Sequence, residues 1–162
     1  MKSYSIEPCE FPDSPRDDSN IGIMACFHTR YDLGDKVTFS HKDFNSWAEM
    51  ETFIKLKEKA TAILPLYLYD HSGLSISTKP FACKFDSGQI GFIFTRKTGN
   101  VEEIYRTLQA EVDVYDTYIS DGVWDVLIYE NGEVVDTITN VYGWKDAEDI
   151  AKEACSEISS SS

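Results

Sequence analysis

The sequence predicts an α+β domain, with a mainly antiparallel sheet of about five or six strands packed by about three helices. Three observations carry this prediction. Apolar residues recur at helical spacing in three stretches, short β-rich apolar runs lie between them, and turn residues punctuate the runs at close intervals. The chain has 162 residues, 42% of them hydrophobic and 13% aromatic, which favours a packed core over disorder. A single domain over residues 21–158 is expected, preceded by an irregular arm over residues 1–20 and followed by a frayed tail at 159–162. The arm is read from Pro8, Pro12 and Pro15, with Asp13, Asp17 and Asp18 among serines.

Residues Ile21–Thr29 read as the first strand, with Met24, Cys26 and His28 on one face. Ser46 opens a helix with Glu49 three residues on, a capping box, and Trp47, Met50, Phe53, Ile54 and Ala60 form its core face. Ala62–Tyr69 is a dense apolar strand, Leu74–Ser77 a short one, and Gln89–Thr95 a third after the turn Asp86-Ser87-Gly88. Asn100 caps a long helix whose stripe is Val101, Ile104, Tyr105, Leu108, Val112 and Tyr115. Asn131-Gly132 between Val123–Tyr129 and Glu133–Thr139 is the strongest hairpin signal. Asp146 is expected to cap a last helix with core positions Ala147, Ile150, Ala151, Ala154, Cys155 and Ile158.

The net charge is −13, unevenly spread. Residues 1–98 carry 13 acids and 12 Lys/Arg, whereas residues 99–162 carry 15 acids and only Arg106, Lys145 and Lys152. This balance excludes direct binding of nucleic acid through a basic stripe. Nor is there an apolar run near the ~20 residues needed to cross a bilayer. The start, Met1-Lys2-Ser3-Tyr4, is not followed by the apolar stretch of a signal peptide, so cytoplasmic residence is expected. In that compartment Cys9, Cys26, Cys83 and Cys155 are expected to be free thiols, two or three of them buried.

Three groups of residues carry candidate chemistry. Cys26 and His28, with His71 and Cys83, have the donor types of a zinc site, but they supply only one close pair where structural sites usually show two, so no metal or cofactor is assigned. Asp70-His71-Ser72 has the residue types of a hydrolytic triad, yet neighbours in sequence cannot point at one another in the required order. His71 paired with a carboxylate such as Asp32 or Asp86 keeps a catalytic or ligand-binding site around His71, Asp70, His28 and Asp86 open; the plain alternative is a hydrogen-bonded turn closed by Gly73. The third group is the acids themselves: Glu102, Glu103, Glu111, Asp113 and Asp116 on the long helix, with Asp125, Glu130, Glu133 and Asp136 on the hairpin. Displayed in a row, they would imitate duplex phosphates, which carry one charge per roughly 1.7 Å of axis. The plain alternative is a solvated face that promotes solubility.

Leu64-Pro65-Leu66-Tyr67-Leu68-Tyr69-Asp70-His71-Ser72-Gly73, then Ser75-Ile76-Ser77-Thr78-Lys79-Pro80-Phe81 and Asp86-Ser87-Gly88-Gln89-Ile90-Gly91-Phe92, form one signature, and Met24 through Asp35 a second. Together they resemble a family of small proteins encoded by phages and mobile elements, over about half the chain. Thr29 stands where that family tends to carry Arg, and Phe85 where it tends to carry Trp. The resemblance implies a phage context and brings no activity with it. Combined with the acids, it leads to the expectation of an inhibitor in the host cytoplasm. Its partner would be a host defence protein with a basic nucleic-acid-binding surface, such as a CRISPR effector or a restriction enzyme. A small-ligand-binding protein or hydrolase and a virion structural or assembly protein stand as alternatives.

Overall fold

The computed structural model describes the backbone of residues 1–160 and side chains as far as Ser156. The expected core position Ile158 and the expected frayed tail at 159–162 lie wholly or partly outside the described residues. Among the described residues the fold is α+β, with three α-helices and seven strands in two antiparallel sheets, where one sheet of five or six strands is expected from the sequence. The elements are β1 (Lys2–Pro8), β2 (Ile23–Cys26), α1 (Trp47–Leu56), β3 (Ala62–Asp70), β4 (Leu74–Ser77), β5 (Ser87–Thr95), α2 (Val101–Asp121), β6 (Val123–Glu130), β7 (Glu133–Tyr142) and α3 (Trp144–Ser160). Two compact units form: Arg16–Asp116, and Met1–Pro15 together with Thr117–Ser162.

In the Arg16–Asp116 unit the strand order is β2-β5-β3-β4. β5 is buried without interruption from Ile90 to Thr95, so both of its faces are covered. Phe92 and Phe94 join Ala25, Phe39, Met50 and Ile54 in a core closed by α1. Ile93 and Leu108 of α2 both close on Gly22. α1 begins as expected, with Ser46 Oγ accepting the Glu49 N–H at 3.1 Å; Glu49 itself reaches back to the Asn45 N–H rather than to the cap. α2 begins at Asn100, whose Oδ1 accepts the Glu103 N–H at 3.0 Å. Ile104, Leu108, Val112 and Tyr115 are buried along it, but Val101 is 60% exposed and leaves the expected stripe. The first strand is shorter than expected, ending at Cys26. That early end matters, because beyond Phe27, whose N–H still meets the Ile90 carbonyl, the chain forms one wall of the grooves described below.

In the second unit the order is β1-β6-β7, with Ala147 and Ala151 of α3 packed on Val126, Ile128 and Val141, and Ile6 beside them. The expected irregular arm is therefore corrected: its first residues form β1, paired antiparallel with β6 from Lys2↔Glu130 to Pro8↔Trp124. The segment KSYSIEP alternates small polar and larger residues, and its proline closes it, as suits an edge strand. Asn131 and Gly132 have φ of 55° and 84°, the left-handed pair that a two-residue hairpin turn needs. Asp146 is not the cap of α3. Asp121 takes that role from a distance in sequence, its Oδ2 accepting the Trp144 N–H at 2.7 Å, and Asp146 stands within the first turn.

Candidate functional site

The sequence-predicted residues divide into ties within the fold and a surface groove. Asp116 Oδ1 accepts from Ser75 Oγ at 2.7 Å and from the Ile76 N–H at 2.9 Å, fastening β4 to α2. Thr78 Oγ1 donates to Gln109 Oε1 at 2.6 Å, and Gln109 in turn donates to Asp113. Glu111 is drawn inward: its carboxylate meets Arg16 Nη1 at 3.2 Å and accepts the Ile21 and Gly22 N–H groups, with its side chain 9% exposed. Glu111 and Asp116 thus serve the interior of their unit, a correction to their expected place on a partner-binding row. The signal for this role was out of reach in the sequence, because each partner lies at least 40 residues away.

The groove lies where β2 ends. The segment 27–30 faces the start of β5 across a cleft of about 440 Å³, lined by His28, Arg30, Asp70, Asp86, Ser87 and Gln89 among others. A second cleft of about 490 Å³ shares residues 27–30 as a wall and adds Tyr31, Asp32, His41 and Lys42. His28 Nδ1 accepts the Arg30 N–H at 3.1 Å, so in the neutral imidazole the proton sits on Nε2. Asp70 accepts from the Tyr31 hydroxyl at 3.3 Å and lies 3.8 Å from Arg30 Nη2. His71 Nδ1 is 3.3 Å from Asp86 Oδ2, one of the two pairings expected. So His28, Asp70 and Asp86 line one cleft, and His71 joins them through Asp86. The Asp70–Gly73 turn is closed by the His71 N–H on the Gly73 carbonyl, with Ser72 at φ 59°, and does not use the Asp70 carboxylate.

The four cysteines are free; Cys83 is exposed, and Cys9, Cys26 and Cys155 are partly buried. Burial, with the Asp35 carboxylate adding to it, pushes the Cys26 thiol up to about 12. Among the described residues no group of three or more His, Cys, Asp or Glu is placed to hold a metal ion. A thiol reacts as its thiolate, so at pH 8 a maleimide should label Cys83 first and leave Cys26 untouched until the protein unfolds. Peptide mapping by mass spectrometry checks this, and early labelling of Cys26 would contradict it.

Referred to the two units, the charge asymmetry persists at a smaller size. Met1–Pro15 with Thr117–Ser162 carries 13 acids and 3 lysines, a net of −10; Arg16–Asp116 carries 15 acids and 12 Lys/Arg, a net of −3. Glu130, Glu133 and Asp136 are exposed on the β6–β7 hairpin, and Asp146, Asp149 and Glu153 on α3. Asp125 is partly buried and accepts the Asn140 N–H at 3.3 Å. Glu102, Glu103 and Asp113 are exposed on α2, in the other unit. No protein-family model, curated protein or solved structure matches this chain. Among the described residues no helix is long and apolar enough to cross a membrane.

Proposed function

We propose that this chain is an inhibitory binding protein whose acidic unit occupies the basic nucleic-acid groove of another protein in the cytoplasm. The observation that carries the proposal is the net charge of −10 on one compact unit, with its carboxylates exposed on a hairpin and a helix. Solubility alone needs a magnitude of only about 2–8 in a small domain. Asp146, Asp149 and Glu153 recur three and four residues apart, which sets them along one stripe of α3. At 1.5 Å of rise per residue the steps are about 5 Å, the same order as the roughly 3.4 Å per phosphate of one DNA strand. The resemblance to small phage and mobile-element proteins makes a host defence protein, such as a CRISPR effector or a restriction enzyme, the partner class.

The test is competition. A partner captured from bacterial lysate should be released by rising salt and displaced by a duplex oligonucleotide, since both screen or copy the same charges. Reversal of Asp146, Asp149 and Glu153 to Lys should weaken capture at least about 10-fold, the scale of losing several screened charge contacts. A partner that stays bound at high salt, or that ignores both the oligonucleotide and the reversal, refutes the proposal.

A further inference from the structure

We infer that the two clefts of the Arg16–Asp116 unit bind a mononucleotide, with its phosphate held by Arg30 and Lys42 and its base beside Phe85 and Gln89. The site lies outside the acidic unit, and the inference stands or falls independently of the partner proposed above. Size comes first. Clefts of about 440 and 490 Å³ with a common wall fall in the range of roughly 300–1,000 Å³ that small-molecule sites occupy.

Charge then sets a direction. On one side of the shared wall, Arg30 and Lys42 stand with a single carboxylate, Asp32, and the rings of His28 and His41 line the same cleft. On the other side, the two carboxylates of Asp70 and Asp86 outnumber Arg30. An anionic group is therefore drawn to the cleft beside Lys42 and repelled from the end of the other that holds Asp70 and Asp86. Arg30 is suited to hold it. Its side chain is 73% exposed, lies over the Tyr31 ring at 5.9 Å and touches Asp70 only at 3.8 Å, so most of its planar donor fork remains for a phosphate. The His28 tautomer fixed by the Arg30 N–H adds an Nε2–H donor in the same wall.

The cleft of about 440 Å³ suits the ring. Phe85 stands fully exposed at its rim, a stacking surface that any base can use. Gln89 donates its amide to the Gly91 carbonyl, which leaves its own carbonyl as an acceptor beside the carboxylates of Asp70 and Asp86. Acceptors of this kind read the donor edge of a base, as Asp, Glu and Gln do in nucleic-acid recognition. Gly88 lines the cleft without a side chain, and nothing lies within 4 Å of where a Cβ would be, so there is open space at this point.

The experiment is a titration of the full chain, followed by backbone amide NMR and calorimetry, with the four ribonucleoside 5′-monophosphates, the matching nucleosides and inorganic phosphate as probes. At least one monophosphate should bind saturably with Kd below about 1 mM and at least about 10-fold more tightly than its nucleoside or phosphate alone. Shifted amides should cluster at residues 27–32, 41–42 and 85–90. Arg30→Gln should weaken binding about 10-fold through the lost charged fork, and Phe85→Ala about 5-fold or more through lost stacking. Both side chains are exposed, so neither variant threatens the fold. The inference is overturned if no monophosphate saturates, if phosphate alone binds as well, if the shifts fall elsewhere, or if Arg30→Gln binds like the parent.

Discussion

Arg16→Ala should lower the stability of the protein by about 3–5 kcal/mol, the largest effect expected of any single polar substitution in the chain. Arg16 is 5% exposed and holds Asp35 through two contacts, Nε at 3.2 Å and Nη2 at 2.7 Å, with Glu111 on Nη1 and the Gly22 carbonyl on Nη2. Removing it leaves the buried Glu111 carboxylate and the partly buried Asp35 carboxylate without their counter-charge. Those carboxylates are also backbone acceptors, Asp35 for the Met24 N–H and Glu111 for the Ile21 and Gly22 N–H groups. The network therefore differs from a simple buried ion triad. Replacing all three members by apolar residues should not recover stability, because each orphaned backbone donor costs about 1–3 kcal/mol. Urea unfolding of Arg16→Ala and of the triple variant checks both statements. A loss below about 1 kcal/mol for the single change would show that water reaches the site.

Gly91→Ala should cost about 3 kcal/mol, at the upper end of what overpacking does, and should open the sheet between β2 and β5. An added Cβ at position 91 would lie 1.7 Å from the Ala25 carbonyl oxygen and 2.8 Å from its carbon. Both are backbone atoms, so no rotamer change relieves the collision; β2 must move as a strand. The segment 27–30 continues from β2, with the Phe27 N–H still on the Ile90 carbonyl at 2.8 Å. The same substitution should therefore disturb the groove wall as well as the core. Gly88→Ala is the internal control, since a Cβ there meets nothing, and its change should stay within about 0.5 kcal/mol. Thermal unfolding of the pair, with NMR shifts at residues 27–30, separates the two outcomes. Equal stability of the two variants would refute the close-approach argument.

The parts of this structure that could be read from the sequence are those decided by neighbours along the chain. Ser46 and Asn100 cap α1 and α2 because a side-chain oxygen needs only to reach the N–H three residues on. Asn131-Gly132 turns the hairpin because those two residues tolerate positive φ. The pairing of His71 with Asp86 was within reach as one of two options, since the turn signals put both at strand ends. What stayed hidden depends on partners far away in sequence. β1 reads as an irregular, serine-containing stretch until β6 is laid beside it. Asp146 looks like a cap until Asp121 is found in its place. Glu111 and Asp116 belong to an acidic face by spacing, yet Arg16, Ser75 and Ile76 turn them to interior work. Helical periodicity identifies a face without saying what meets it.

The order of the pairing has a consequence for synthesis. β1 is made first and its partner β6 more than a hundred residues later, with the whole Arg16–Asp116 unit between them. At five to twenty residues per second, β1 waits roughly 6 to 25 s on the ribosome before β6 exists. During that interval the intervening unit has all of its own strands and can settle around its grooves. β6 and β7 follow it, and only then can β1 be paired. A product that stops before Val123 would carry the groove and, of the acidic sheet, only an unpaired β1, so it could not present both.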